Sequence, residues 1–468
     1  MEVKSKDFVA LADITIQDKA MQGAVRRGTH SAYQKRLQAM FSEGDVHGQA
    51  LRRQAAEAKR RALSRLPELL EQAEEKMTAK GIHVRWAVDA QEACQRVLDI
   101  AAKHGVQAVA KSKSMLTEEI GLNHALEDAG IETVETDLGE YIVQIAGDRP
   151  SHVIAPVIHM SKDTIRDLFV NKLNMTPTDD AQAMVAFARQ KLREVFLDAG
   201  MGISGGNFII AETGSIGLVM NEGNGRMVTS LPKIHIAICG LERVAETLED
   251  YVLLTQVLPR SGTGQQLTVY TNIINGPTDD GDGPEHVYVI FVDNGRSKIY
   301  NEAKFAEVLT CIRCGACQNA CPVYRSTGGN AYGWVYGGPI GAVVTPLLVG
   351  IDKASPLPYA SSLCGACKEA CPVDIDLPRM LLDLRNELVE DGHRELKYSV
   401  GIKSWAIANQ SPRLFEMGGK AAHTTIQMGL DHFVPNPIGE WEEYRDFPGF
   451  APKPFRQLWR ERKNGGRS

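Results

Sequence analysis

The sequence predicts an α/β domain on a parallel sheet, preceded by helices and followed by a small α-helical module organised by cysteines. Three observations predict it. Residues 19–80 carry apolar side chains at helical intervals, short apolar runs then alternate with amphipathic stretches, and seven of the nine cysteines fall between Cys311 and Cys371.

In residues 19–80, Leu63, Leu66, Leu70 and Ala73 recur on one helical face amid Ala, Arg, Lys, Gln and Glu. Pro67 belongs in a first turn, so two helices are expected here rather than one rod. From residue 82 the rhythm changes. Residues 82–87, 106–110 and 131–135 read as strands, and 91–103 and 116–129 as the helices between them. Short connections of this kind imply parallel strands joined by helical crossovers. The pattern continues through 153–158, 207–211, 217–220, 234–239 and 287–292, and the domain closes near Arg296. Residues 261–282, rich in Gly, Thr, Asn and Asp, read as loop. A helix is expected at 380–390, followed by an aromatic-bearing tail of mixed character.

A net charge of −6 over 468 residues argues against a chain whose main partner is nucleic acid. The tail from Lys453 holds Arg456, Arg460, Arg462, Lys463 and Arg467 against Glu461, and reads as a solvated or docking segment. Met1 to Asp13 is mixed polar, with no export signal. The longest apolar stretch, 340–351, is broken by Gly341, Pro346 and Gly350 and is too short to cross a bilayer. A cytoplasmic location is expected, where clustered cysteines mean metal ligation more often than disulfides.

The cysteines carry the clearest chemistry. Cys311-Ile-Arg-Cys314-Gly-Ala-Cys317-Gln-Asn-Ala-Cys321-Pro322 matches the C-x2-C-x2-C-x3-C-P run of two-cluster ferredoxins. Two-residue gaps wrap three thiolates around one cluster, and the x3 step carries the fourth cysteine to its neighbour. Ser361-Ser-Leu-Cys364-Gly-Ala-Cys367-Lys-Glu-Ala-Cys371-Pro372 repeats the run with Ser361 in place of the first cysteine. Crossed pairing assigns Cys311, Cys314, Cys317 and Cys371 to a [4Fe–4S] cluster. Cys321, Cys364 and Cys367 are left for a second, either [4Fe–4S] with Ser361 or an outside ligand, or [3Fe–4S]. Zinc also takes thiolates at C-x2-C spacing, but the twin x3 steps and terminal Cys-Pro are not zinc-ribbon spacing. Cys94 and Cys239, on a helix and a strand end, are expected to be buried structural thiols.

Three further segments are dense in Gly, Ser and acidic residues: 111–115, 135–141 and 202–226. They follow expected strands, where parallel sheets bind ligands. None is a dinucleotide fingerprint or a Walker loop. Lys111-Ser-Lys-Ser-Met-Leu-Thr-Glu-Glu119, Glu135-Thr-Asp-Leu-Gly-Glu140, Glu212-Thr-Gly-Ser215, Asn221-Glu-Gly-Asn-Gly-Arg226 and Val292-Asp-Asn-Gly-Arg296 occur together ahead of the cysteine motifs. So do Cys321-Pro-Val-Tyr-Arg325 and Tyr332-Gly-Trp-Val-Tyr336 within them. In these segments the chain resembles the lactate utilisation protein B family over nearly its whole length.

The resemblance implies an iron–sulfur subunit that works with two companion proteins in oxidising L-lactate to pyruvate and passes electrons toward the respiratory chain. The same seven cysteines carry clusters in that family, and Ser361 is its usual residue. It also implies a domain fold related to sugar-phosphate isomerases and coenzyme A transferases. The expected organisation is a helical lead at 1–80, the α/β lactate-utilisation domain at 81–297, a two-cluster ferredoxin-like domain at 298–390 and an extension at 391–468. No catalytic residue is assigned, and a flavin or other two-electron site is expected on a partner. The competing readings make Glu222 or Glu212 a catalytic group of the α/β domain, beside Gly223 and Gly225, or change the substrate to another 2-hydroxy acid such as glycolate.

Overall fold

A computed structural model describes residues 2–278, 281–392, 396–428, 451 and 453–465. It divides into two compact units, Met1–Glu390 and Asp391–Ser468.

The first unit opens with α1 (Phe8–Gln17), α2 (Lys19–Phe41), α3 (Asp45–Ser64) and α4 (Leu66–Ala79). Pro67 sits in the first turn of α4, as its missing N–H favours. The expected pair of helices is nevertheless a series, because α2 ends at a turn where Gly44 takes φ 98°. Gly48 lets α3 start hard against α2: a Cβ there would meet the Phe41 ring at 2.3 Å.

Next come β1 (His83–Ala87), α5 (Ala90–His104), β2 (Ala108–Lys111), α6 (Met115–Glu119), α7 (Leu122–Asp128) and β3 (Glu132–Glu135). The single helix expected at 116–129 is split at Gly121, which takes a left-handed conformation. Then α8 (Leu138–Ala146), α9 (Lys162–Leu173) and α10 (Ala181–Asp198) lead to β4 (Met201–Gly205), β5 (Phe208–Ile210) and β6 (Ser215–Met220). The chain continues through α11 (Asn224–Ser230), β7 (Ile234–Gly240), β8 (Val244–Ala245), α12 (Leu248–Gly262), β9 (Tyr270–Ile274) and β10 (His286–Val292).

Six strands form a parallel sheet in the order β1-β10-β7-β4-β2-β3. Every residue of β7 is buried, as a strand covered on both faces requires. This is the expected α/β architecture. Three details differ from the sequence reading. The 207–220 strands leave the parallel sheet: β5 and β6 pair antiparallel across a tight turn at Gly214, which is too short for a crossover. They form a second sheet in the order β8-β5-β6-β9. In that sheet β9 arises within the supposed 261–282 loop, with alternating half-buried and exposed residues that make a weak signal. Residues 153–158 are turn rather than strand. His152 Nδ1 accepts the N–H groups of Ile154 and Ala155, at 3.0 and 3.1 Å, which competes with any ladder.

After α13 (Arg296–Asn301) the cysteine module contributes α14 (Ala316–Ala320), α15 (Pro322–Thr327), α16 (Gly338–Val349), α17 (Ala366–Ala370) and α18 (Leu377–Glu390). It does not stand apart. Phe8, Val25, Met40, Leu51 and Ala55 of α1–α3 share one apolar core with Tyr324, Tyr332, Tyr336, Val343 and Leu381. Burying each large side chain is worth about 1.5–3 kcal/mol, so the N-terminal helices and the module hold one another in place.

The second unit contains α19 (Leu396–Asn409), α20 (Pro412–Gln427) and α21 (Phe455–Gly465). Arg460 pairs with Glu416 at 2.7 Å, and Phe455 stacks on Trp459. Of the basic tail singled out above, Arg467 lies outside the described residues, as does 429–450 of the extension. Among the described residues no helix is long and apolar enough to cross a membrane.

Candidate functional site

The cysteine repeat folds into two loops of the same shape. Arg313 and Leu363, one residue before Cys314 and Cys364, which hold the second ligand position of each run, both take positive φ, 59° and 55°. Gly315 and Gly365 follow at 72° and 84° and open α14 and α17. In the first loop the Arg313 N–H donates to Cys311 Sγ at 3.4 Å, and in the second the Leu363 N–H donates to Ser361 Oγ at 3.1 Å. At the far ends, the Tyr324 N–H donates to Cys321 Sγ and the Ile375 N–H to Cys371 Sγ, at 3.5 and 3.4 Å. Backbone is therefore spent on presenting sulfur.

All seven thiols are free, and they fall into two neighbourhoods. Cys314 lies in the field of Cys371 and Cys311, and Cys317 in that of Cys311, Cys314, Cys367 and Cys371. Cys367 in turn faces Cys321 and Cys364. Burial pushes the thiols of Cys314 and Cys367 up to about 12 and that of Cys371 to about 11, and crowding by the other sulfurs adds to it. Cys364 is exposed, and the Ala366 N–H holds it below the ordinary thiol range. Among the described residues no three His, Cys, Asp or Glu side chains converge on a point as ligands of a single ion would.

An arginine shell surrounds the first neighbourhood. Arg36, 2% exposed, faces Cys314 and Cys371, and its Nε and Nη2 have no hydrogen-bond partner. A buried, unanswered guanidinium is costly. A thiolate-held iron–sulfur cluster is anionic and answers it, so the residues present fit such a group. Arg52 donates to the Cys371 carbonyl from Nε and Nη2 at 3.1 and 2.8 Å, and Arg243 Nη1 to the Cys311 carbonyl at 3.2 Å. The second neighbourhood has Arg325 near Cys321. Spacing pointed to the cysteines but not to Arg36, Arg52 or Arg243, which come from distant α2, α3 and the β7–β8 turn. No local sequence signal marks them.

Beside the first loop a cavity of about 650 Å³ opens at the carboxyl ends of β2, β4 and β7. Its wall includes Lys113, Glu222, Glu242, Arg243, Arg296 and Arg313. Arg296 pairs with both oxygens of Glu119 at 2.9 Å and with Glu242 at 2.7 Å, and the Tyr336 hydroxyl donates to Glu119 at 2.6 Å. Burial alone would raise the Glu242 carboxyl, but Arg296, Arg313 and Arg243 hold it down to about 2. Gly240 is required here, since a Cβ would come within 2.2 Å of Glu242 Oε2. Arg313 lies over the Tyr336 ring, 4.4 Å from its centroid.

The two glutamates of the catalytic reading part company. Glu222 lines the cavity and accepts the Leu138 N–H at 3.3 Å, its carboxyl raised by burial and by Asp137. Glu212 instead accepts the Leu248 N–H at 2.9 Å at the start of α12, and is not part of the cavity wall. Of the 111–115 segment, Lys111 is fully buried in an ion pair with Glu135 at 2.5 Å, whereas Lys113 reaches the cavity. Cys94 and Cys239 are buried in α5 and β7, and burial pushes the Cys239 thiol up to about 12.

Residues 70–292 match the LUD domain, residues 307–375 the 4Fe–4S dicluster domain, and residues 384–464 the lactate utilisation protein B C-terminal domain. The dicluster match indicates iron–sulfur clusters in this module. A DUF162 family protein from Deinococcus radiodurans covers 48% of this chain and 98% of its own at 14% identity, with a TM-score of 0.28, too low to support a statement of shared fold. Proteins named lactate utilization protein B from Bacillus thuringiensis (strain Al Hakam), Bacillus cereus (strain AH187) and Bacillus anthracis (strain A0248) are each 42% identical over 478 aligned residues. That alignment takes in 100% of this chain and 99% of theirs, and with such agreement from end to end the chain belongs to the lactate utilisation protein B family.

Proposed function

We propose that this chain is the iron–sulfur electron-transfer subunit of a multi-protein system that oxidises L-lactate to pyruvate. The observation that carries the reading is the packing of the two cysteine loops against each other through α14 and α17, the helices that bear Cys317 and Cys367. Cys311, Cys314, Cys317 and Cys371 hold a [4Fe–4S] cluster. Cys321, Cys364 and Cys367 hold the second, either [4Fe–4S] with Ser361 or an outside ligand at its fourth iron, or [3Fe–4S]. When bound, such clusters accept and release one electron at a time. The chain's own residues fix the thiolates through backbone N–H groups, surround one cluster with arginine, and leave Cys364 of the other at the surface for exchange with a partner. Lactate gives up two electrons, so the two-electron oxidant, a flavin or its equivalent, belongs to one of two companion proteins. The setting is the cytoplasm, with onward transfer to the respiratory chain.

The test uses anaerobically purified, cluster-loaded chain, alone and with its companions, exposed to L-lactate and followed by visible bleaching and electron paramagnetic resonance. Reduction in the mixture alone is expected. If dithionite reduces the clusters and lactate does not in either sample, the lactate assignment fails. A second reading, catalysis by the α/β domain, is favoured only by Glu222, which lines the cavity with a raised carboxyl. It requires lactate to reduce the lone chain and Glu222→Gln to abolish that reduction.

A further inference from the structure

We infer that the cavity beside the Cys311 loop binds an organic monocarboxylate on Arg243 and Arg313. The inference deepens the lactate reading and rests on it for the identity of the acid, though not for its charge. Three guanidiniums, Arg243, Arg296 and Arg313, gather at this part of the wall against two carboxylates, Glu119 and Glu242. Arg296 takes up most of both. Arg313, stacked over the Tyr336 ring, makes one long ion pair, to Glu242 at 3.6 Å, and its buried Nη1 has no hydrogen-bond partner. Arg243 makes no ion pair among the described residues, and its one hydrogen bond goes to the neutral Cys311 carbonyl.

Two guanidiniums thus line the cavity with donors that the chain's own carboxylates leave largely unused, and Arg313 Nη1 is a buried donor without a partner, which is costly unless an acceptor answers it. Arg243 and Arg313 lie in the field of Cys311 and also line the cavity, whereas Arg36 and Arg52, which face the first four thiolates too, are not part of the cavity wall. Because Arg243 and Arg313 also face the cluster's thiolates, little positive charge is left for a phosphate of about −1.5 to −2, and a monoanion is the better fit. Paired guanidinium donors match the planar carboxylate. Elsewhere the wall is apolar, with Val153, Ile154, Leu218, Ile238 and Leu258, so the rest of the ligand is hydrocarbon-like. The remaining charges, Lys113 with Asp137 and Glu222, group around the start of α8: Asp137 caps that helix and Glu222 accepts the Leu138 N–H. At 650 Å³ the cavity falls in the usual range for small-molecule sites and leaves room beyond a three-carbon acid. Because Arg313 lies between Cys311 and Cys314, a carboxylate bound here rests against the cluster's own ligand loop.

The test is calorimetric titration of the anaerobic, cluster-loaded full chain with L-lactate, pyruvate, hexanoate and inorganic phosphate, in parallel with paramagnetic resonance of the reduced protein. At least one monocarboxylate is expected to bind with one-to-one stoichiometry and to alter the cluster spectrum, phosphate failing to compete. Arg243→Gln is expected to weaken that binding at least tenfold. In the unaltered protein the same acid is expected to protect Arg243 and Arg313 from modification by phenylglyoxal, read by mass spectrometry, so the outcome does not hang on the variant's folding. The inference is overturned if none of the three acids binds at millimolar concentration, if phosphate binds equally well, or if a bound acid leaves both arginines reactive. Binding without electron delivery in the presence of companions would instead sink the lactate reading and leave the site standing.

Discussion

Ser361 Oγ accepts the backbone N–H of Leu363 at 3.1 Å. The first loop makes the same bond with sulfur, from the Arg313 N–H to Cys311 Sγ. An oxygen thus stands where the repeat places a thiolate, on backbone of the same conformation. Ser361→Cys is expected to supply the second group with a fourth sulfur without disturbing the loop. Air exposure of that variant should no longer produce the resonance signal of a three-iron cluster, and iron analysis should give a full complement. An unchanged air-sensitivity would show that Ser361 does not face the open iron.

Arg36 is a buried cation in the field of Cys314 and Cys371 whose Nε and Nη2 have no hydrogen-bond partner. Its positive charge favours the more negative, reduced state of a cluster there. Arg36→Gln is expected to lower the potential of that cluster and leave the other unmoved. A loss of about 1.4 kcal/mol corresponds to about 60 mV in a one-electron couple. A redox titration followed by paramagnetic resonance distinguishes the two clusters, and equal shifts in both would contradict the placement.

The Arg296 ion pairs with Glu119 and Glu242 are buried at both ends, with side chains 0–3% exposed. Removing one partner strands the others. Arg296→Met is expected to destabilise the first unit by about 3–5 kcal/mol, read as a lower urea midpoint. A loss below about 1 kcal/mol would mean that water reaches these carboxylates.

Glu140 gives the fold a pH dependence. Burial raises its carboxyl to about 8, with Lys113 at 3.6 Å offsetting part of the shift. The folded chain therefore holds a proton that the unfolded chain releases near pH 4.5. Stability from this group falls as pH rises between about 4.5 and 8, by at most about 1.4 kcal/mol per unit. In Glu140→Gln the decline should be shallower, and its melting temperature relative to the unaltered chain should climb from pH 5.5 to pH 8. Parallel profiles would rule out Glu140 as the source.

What was legible in the sequence divides along physical lines. β7 and β10 were readable because strands buried on both faces need unbroken runs such as Ile234–Gly240, and the edge strand β1 was readable from its buried Val84 and Ala87 only in the company of the helix that follows. The cysteine repeat was readable because thiolate spacing is fixed by the group it must hold. β9 was not, since an alternating, half-exposed strand amid Gly and Asn looks like a loop. The pairing of β5 with β6 turned on loop length rather than on the strands themselves. At the site, Arg36 and Arg52 come from helices whose composition is that of any amphipathic segment, and only tertiary contact marks them. Glu212 and Glu222 looked equivalent in sequence until one proved to cap a helix and the other to line the cavity.

The grip of Arg52 on the Cys371 carbonyl spans 319 residues. During synthesis at about 5–20 residues per second, α3 leaves the ribosome roughly 16–64 s before Cys371 does. Through that interval Arg52 has no Cys371 carbonyl to hold, and the apolar side chains of α1–α3 lack part of the core that will cover them. Closure of the first unit is accordingly an event of chain completion. The helices made first are finished last.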